Sequence, residues 1–240
     1  MTAASYTRPW AKLSDKIEKL RPWLLLILIV FVLLAFAIVE PRVISGANLR
    51  NIAVQGSYLA VFALAQCLVI LTRGFDLSLG FTVSLVSVLS AMAMVASGSA
   101  FVGILAGLGV GLVVGGVNGL LIGGIRLNPL ITTLGMANIA MALASTVSGG
   151  FPVSGLPEGF TSTFAQGTLL WVPVQIWIVA AVFLATWALL RATRLGRSLY
   201  IIGANPRAAV AAGINSLGGL LAAYVISSLI TATGALLLTA

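Results

Sequence analysis

The chain has 240 residues, of which 60% are hydrophobic and only 8% charged, and its mean hydropathy is +1.14. A soluble domain is about 45–50% apolar and about 25% charged, so a soluble fold of this size is excluded and a polytopic membrane protein is predicted. The excess of 13 Lys+Arg over 5 Asp+Glu is spread over the flanks of apolar runs, which points to a lipid bilayer and not to nucleic acid.

Residues 1–22 form an N-terminal segment in which Trp10, Leu13, Ile17 and Leu20 recur at helical spacing, with Lys12, Lys16 and Lys19 elsewhere around the wheel. This pattern suits a solvated helix start or an amphipathic segment lying on the anionic inner leaflet. Residues 23–240 then form the transmembrane domain. A helix needs about 20 mostly apolar residues to cross the hydrocarbon layer. Runs of that kind predict seven spans, at Trp23–Val39, Ile52–Thr72, Leu77–Ala96, Phe101–Ile125, Pro129–Val147, Val172–Leu190 and Leu217–Ala240. Ala35-Phe36-Ala37 has the form of a signal-peptidase site, but the apolar run around it is too long for a signal-peptide core. An uncleaved anchor is expected. An isolated strand cannot satisfy its backbone in lipid, so the fold class is all-α, a polytopic transmembrane helical bundle.

Alternation assigns a side to each connection. With a cytoplasmic N-terminus, Arg8, Lys12, Lys16, Lys19, Arg21, Arg73, Arg126, Arg191, Arg194, Arg197 and Arg207 fall inside, and Arg42 and Arg50 outside. That asymmetry obeys the positive-inside rule. Cys67 lies mid-span among small and apolar neighbours and is expected to be inert packing.

In the fourth span Gly103, Gly107, Gly111, Gly115, Gly119 and Gly123 recur every fourth residue. Such a line lets another helix backbone approach closely. Four residues turn a helix by about 400°, so the line creeps by about 40° per step and suits a partner crossing at an angle, or two partners in succession. The partner is expected within this chain, with a subunit–subunit seam as the alternative.

Polar residues interrupt the apolar pattern at three places. Asp76, in Arg73-Gly74-Phe75-Asp76-Leu77-Ser78, stands either as the N-cap of the next helix, bonding amides near Ser78 or Leu79, or beside a translocation path, paired with Arg73. Asn118, Thr132 and Thr133 surround the turn at Arg126; they could bond across helices or line that path. Asn128-Pro129 has the form of a helix start. The outer connection Ser148–Trp171, rich in Gly, Pro and Ser with Glu158 its lone charge, is expected to be exposed.

The cytoplasmic loop 191–216 opens with Arg191, Arg194 and Arg197 and contains Asn205-Pro206-Arg207-Ala208-Ala209, then Gly213-Ile214. Asn205 is a good N-cap, Pro206 fits the first helical position and Gly213 fits a left-handed stop. The helix between them is about seven residues, or roughly 10 Å, too short to span and marginal alone in water. Its Ala and Val surface suits a groove on another protein.

At these residues the chain resembles the bacterial sugar-import ABC permeases of the ribose/arabinose/galactoside class. Gly74-Phe75-Asp76-Leu77-Ser78-Leu79-Gly80 is similar to that family's Gly-Gly-Ile-Asp-Leu-Ser-Val-Gly signature. Asn118-Gly119 and Asn128-Pro129-Leu130-Ile131-Thr132-Thr133-Leu134-Gly135 are similar to a second, and Thr193-Arg194-Leu195-Gly196-Arg197 with Gly203-Ala204-Asn205, Ala208-Ala209 and Gly213-Ile214 to a third. The three motifs occur in order, and the resemblance runs from Asn48 to the chain end. Phe75 stands in place of a small or branched residue and Leu130 in place of Phe, which bears on selectivity near those turns. Branched-chain amino-acid permeases are relatives without an Asp-Leu-Ser signature of this form.

The resemblance implies a permease subunit that carries a simple sugar, pentose or hexose, across the bacterial inner membrane. It implies three kinds of partner besides the lipid bilayer: a second permease subunit forming a homo- or heterodimer, a cytoplasmic ATP-binding-cassette ATPase and a periplasmic sugar-binding protein, with no nucleic acid among them. Residues 205–213 would be the coupling helix seated in the ATPase. No cofactor is expected on the chain itself. ATP would be bound by the partner, in keeping with the lack of any lysine after Lys19 and hence of a Gly-Lys-Ser/Thr loop. Members of the family continue for several more helices, so the resemblance implies truncation at the C-terminus. Two other classes compete. An ion-coupled secondary transporter would use Asp76 as its coupling acid. A membrane-embedded enzyme would need a His, a Ser/Lys pair or paired Asp residues, and none can be assembled, so no catalytic or metal-binding residue is expected.

Overall fold

The computed structural model describes the backbone of residues 9–240 and the side chains from Pro22 onward. The predicted amphipathic face at Trp10, Leu13, Ile17 and Leu20 therefore lies outside the described side chains. The chain divides into two compact units, Met1–Ile52 and Ala53–Ala240.

In the first unit, helix α1 (Pro9–Val39) passes through Pro22. Glu40-Pro41 stops it, and a 3₁₀ turn follows at Pro41–Ile44, where the Glu40 carboxylate accepts the Arg42 amide at 3.2 Å. Asn48 donates its side-chain amide to the Val43 carbonyl at 2.7 Å. This fixes the corner leading into α2 (Gly46–Leu71), which begins six residues before the predicted span because Asn48 and Arg50 are taken into its first turns.

The second unit continues with α3 (Leu79–Ser97), α4 (Ala100–Gly123), α5 (Pro129–Ser148), a short α6 (Glu158–Phe164), a two-residue ribbon pairing β1 (Thr168–Leu169) with β2 (Val172–Pro173), then α7 (Val174–Ala192), α8 (Arg194–Ala204), α9 (Pro206–Ala211) and α10 (Ser216–Thr239). Among the described residues, seven helices are long and apolar enough to cross a bilayer. The chain is a multi-pass, all-α membrane protein.

Helix α10 is the hub. Buried residues fill 61% of its most apolar stretch, against 17–33% in α2, α3, α4, α5 and α7. Ala223, Ile230 and Leu237 pack with Val61, Ala65 and Leu68 of α2, with Val179 of α7 and with Leu199 of α8. Ala232, Ala235 and Leu236 pack with Val86 and Met94 of α3 and with Phe160 of α6. Hydrogen bonds pin the same contacts. Ser227 donates to the Ala65 carbonyl at 2.8 Å, and the Thr239 and Ser87 hydroxyls lie 2.8 Å apart.

The glycine line of α4 faces two helices in succession. A Cβ on Gly103 would meet the Met94 side chain and lie 2.6 Å from the Ser90 carbonyl of α3. One on Gly107 would touch Ser90 and Val86 of α3 and Leu236 of α10. From Gly111 to Gly123 the neighbours all belong to α10, with Ser228, Tyr224, Leu221 and Leu220 in turn. The seam is internal to the chain, and its 40° creep is the change of partner.

Two connections differ from expectation. The segment 148–171 is not a plain exposed strap: Phe160 of α6 is buried, and its ring lies 5.1 Å from that of Phe164. Leu170 and Trp171 turn the ribbon with φ of 53° and 66°, and Gln175 donates to the Ala165 carbonyl at 3.0 Å. Cys67, expected to be packed, lies on the exposed side of α2.

Close approach makes a direct prediction. Gly115→Ala would set a methyl 2.6 Å from the Tyr224 carbonyl and 2.8 Å from the Val225 Cα. Overpacking against backbone costs about 1–3 kcal/mol. Gly116→Ala, one position on, meets nothing within 4 Å and is the control. Thermal unfolding in detergent should show a clear loss for the first variant and little change for the second.

Candidate functional site

The polar interruptions predicted from sequence converge at one end of the bundle. Helix α2 ends at Leu71, and its C-terminus is closed by Arg73 at φ 62° and by the Gly74 amide, which donates to the Val69 carbonyl at 3.1 Å. Left-handed residues commonly close helices this way, although glycine is the usual choice. Here the glycine is needed one place later. A Cβ on Gly74 would lie 2.5 Å from the Tyr224 hydroxyl oxygen.

The chain then turns through Phe75, Asp76 and Leu77. Asp76 Oδ1 accepts two hydrogen bonds from Ser78, at 2.8 Å from its amide and 2.5 Å from its hydroxyl. The Ser78 oxygen in turn accepts from Asn118 Nδ2 of α4 at 3.1 Å. Thr133 of α5 clamps the turn from the other side. Its hydroxyl accepts the Leu77 amide at 3.0 Å and lies 3.2 Å from the Phe75 carbonyl and 2.8 Å from that of Pro129. Asp76, Ser78, Asn118 and Thr133 are all buried, so residues of α4, of α5 and of the turn between α2 and α3 meet in one knot.

With Asp76 ionised, proton placement within the knot follows from its donors and acceptors. Ser78 spends its hydroxyl proton on Asp76, so Asn118 must present its NH₂ to Ser78 and turn its oxygen away. That oxygen, the Thr82 hydroxyl and the Tyr224 hydroxyl are buried without a hydrogen-bond partner in the protein. Each such group costs about 1–3 kcal/mol. Burial pushes the Asp76 carboxyl above its ordinary value of 3.8, and the hydrogen bonds from Ser78 oppose the shift.

Two expectations are corrected here. Asp76 makes no ion pair with Arg73: the guanidinium points away and donates to the Ala204 carbonyl at 2.6 Å, at the end of α8. That carbonyl terminus is where a helix dipole favours a cation. Nor is Asp76 the first cap of α3. The helix starts at Leu79 with Ser78 in the cap position, and Asp76 bonds the amide two residues on, an Asx turn ahead of the helix. Thr132 stands apart, donating to the Asn128 carbonyl at 2.9 Å within its own first turn.

The segment after α7 is more ordered than the predicted loop. Thr193 accepts the Gly196 amide at 3.0 Å and caps α8, an amphipathic helix whose Leu199, Ile202 and Gly203 are buried. The cap and the apolar spacing of Leu195, Leu199 and Ile202 were the available signals for it. Gly203 touches the Leu71 carbonyl, leaving no room for a side chain. Asn205 then caps α9, accepting the Arg207 and Ala208 amides at 3.1 Å each, and Gly213 has φ 73°. The helix is six residues long. Ala209 faces inward and is fully buried, whereas Arg207, Ala208 and Val210 are exposed.

The described residues thus place a polar knot at one end of a multi-pass bundle, with a short capped helix bearing an exposed apolar face near it. The chain belongs to the family described as branched-chain amino acid transport system / permease component, whose model matches residues 48–240. It is 34% identical over 205 residues to the ribose import permease protein of Escherichia coli, covering 81% of this chain and 63% of that one. It is also 34% identical over 231 residues to the galactose/methyl galactoside import permease protein of Salmonella typhimurium, covering 87% and 68%. To the ribose import permease protein of Bacillus subtilis it is 31% identical over 223 residues, covering 92% and 68%. The chain thus spans about two thirds of the length of these relatives. No solved structure matches it.

The raised carboxyl of Asp76 fixes the sign of a pH effect. The folded chain holds this proton more tightly than the unfolded one, so stability falls as pH rises from the ordinary value of 3.8 through the raised one. Asp76→Asn keeps the oxygen that accepts both Ser78 bonds and removes the titration. The variant should be at least as stable as the parent at neutral pH, and its melting temperature should vary less with pH, as a detergent melting series at stepped pH would show.

Proposed function

We propose that this chain is the permease subunit of an ATP-driven ABC importer that moves a simple sugar, of the pentose or hexose class, across the bacterial inner membrane. The observation that carries this reading is the match over most of the chain to permeases named for ribose and galactoside import. In this reading the N-terminus and the end bearing the knot face the cytoplasm, in keeping with the placement of eleven Lys and Arg by alternation. A second permease subunit and a periplasmic sugar-binding protein complete the path. ATP is bound and hydrolysed on a partner ATPase that docks on residues 205–213.

The geometry supports coupling at that helix. The exposed Ala208 and Val210 give α9 an apolar face for a groove, while buried Ala209 anchors it to the bundle. Arg73 and Gly203 tie the adjoining end of α8 to the Asp76 turn. Asp76, Ser78, Asn118 and Thr133 then stand where motion of the coupling helix reaches the membrane interior. The ion-coupled alternative is not favoured: it would need Asp76 to exchange a cation, and that carboxylate is engaged by Ser78 at the turn.

Mild extraction from native membranes, followed by mass spectrometry of proteins that co-purify with this chain, tests the reading. A P-loop ATPase should accompany the chain in stoichiometric amount. Ala208→Asp with Val210→Asp alters only the exposed face and should reduce the retained ATPase about tenfold or more. Uptake of labelled ribose or galactoside by cells carrying the variant should fall in parallel. An intact chain that never retains an ATPase would sink the assignment.

A further inference from the structure

A groove of about 880 Å³ opens at the same end of the bundle, between the end of α4, α9 and the start of α10. Arg126 and Arg207 both line it, and no acidic side chain does. Both arginines are exposed, and among the described residues neither makes an ion pair. Two guanidiniums on one cavity repel each other unless an anion lies between them.

Two further features of the groove favour negative charge. Helix α10 begins here, and its 24 residues aim a positive dipole end into the opening. Asn215 caps the Gly218 amide only, and the first amides of a helix have no acceptor within it. The hydroxyl oxygen of Ser216, also on the groove wall, is buried without a hydrogen-bond partner.

Most of the remaining wall is apolar, including Ile122, Ile202, Leu217 and Leu220, with Thr72 and Asn215 its other polar side chains. A small soluble anion has no use for such a wall. A phospholipid needs both, since its phosphate seeks donors and its glycerol and first methylenes seek apolar surface. The position also fits. Arg126 lies three residues beyond the last residue of α4, and Ser216 is the first of α10, so the groove sits where spanning helices leave the hydrocarbon and headgroups begin.

We propose that this groove binds the phosphate headgroup of an anionic phospholipid, held by Arg126, Arg207 and the start of α10. Guanidinium groups suit phosphate because they donate in pairs with fixed geometry. The site does not involve the knot at Asp76; Arg207 belongs to the 205–213 segment, so the headgroup would lie beside the proposed ATPase-docking face.

Purified chain in non-ionic detergent, exchanged into defined lipid and examined by native mass spectrometry, gives the test. The parent should retain phosphatidylglycerol through delipidation and lose phosphatidylcholine. Arg126→Asn with Arg207→Gln should lower phosphatidylglycerol retention about tenfold or more. Asn is chosen at 126 because the residue has φ 62°, which Asn tolerates. Arg126→Lys with Arg207→Lys, keeping both charges, should restore most of the retention, and circular dichroism should show equal helix content in all three proteins. Equal retention of phosphatidylglycerol by the charge-removed variant would overturn the proposal, as would equal retention of phosphatidylcholine by the parent. If inorganic phosphate displaces the lipid at millimolar concentration, the ligand is a free phosphate and the lipid assignment fails. No ATPase is present in this assay, so its failure is separate from any failure of the transport reading.

Discussion

Helices in hydrocarbon gain nothing by hiding apolar surface from one another, and this constraint governs how α4 meets α10. Association must come from close contact and from hydrogen bonds between helices. Glycine at every fourth position strips one face of α4 down to backbone, and α10 answers by bringing its own backbone against it at Tyr224, Val225 and Ser228. With α10 fixed in this way, α2, α3, α7 and α8 pack around it. Ser227 and Thr239 supply the hydrogen bonds that lipid makes worthwhile.

The seam also decides where the polar groups meet. Asn118 neighbours Gly119 on α4, so the approach of α10 at Leu221 and Tyr224 sets the depth at which the Asn118 amide can reach Ser78. Gly74 lies against the Tyr224 hydroxyl for the same reason. The knot is therefore a consequence of the packing: loosen the seam, and the amide that holds Ser78 withdraws with it. Thr133 adds a third helix, so the turn between α2 and α3 is gripped from both sides.

The seven spans and the glycine line were legible because each is written in local periodicity, and lipid removes most alternatives to a helix. The cap at Asn205 and the stop at Gly213 were legible for a similar reason, since both are short-range backbone rules. Arg73 was not. Its nearness to Asp76 in sequence suggests an ion pair, but a φ of 62° turns the side chain toward Ala204, 131 residues further on. Helix α8 was obscured by its charges: Arg194 and Arg197 make it look like a loop, while its apolar side packs inward at Leu199 and Ile202. Burial of Ala209 beside exposed Ala208 is likewise invisible in a run of alanines, because only the packing of the helix decides which methyl faces in.

The contact between Arg73 and Ala204 has a mechanical consequence. On one side of it stand α8 and the short α9, joined through Asn205, which ends one helix and caps the next. On the other stands the turn that carries Asp76. A hydrogen bond from a charged donor to a helix terminus is stronger than a neutral one, and Gly203 against the Leu71 carbonyl leaves no slack beside it. Displacing α9 without displacing the turn would break the charged bond and force Gly203 into the end of α2.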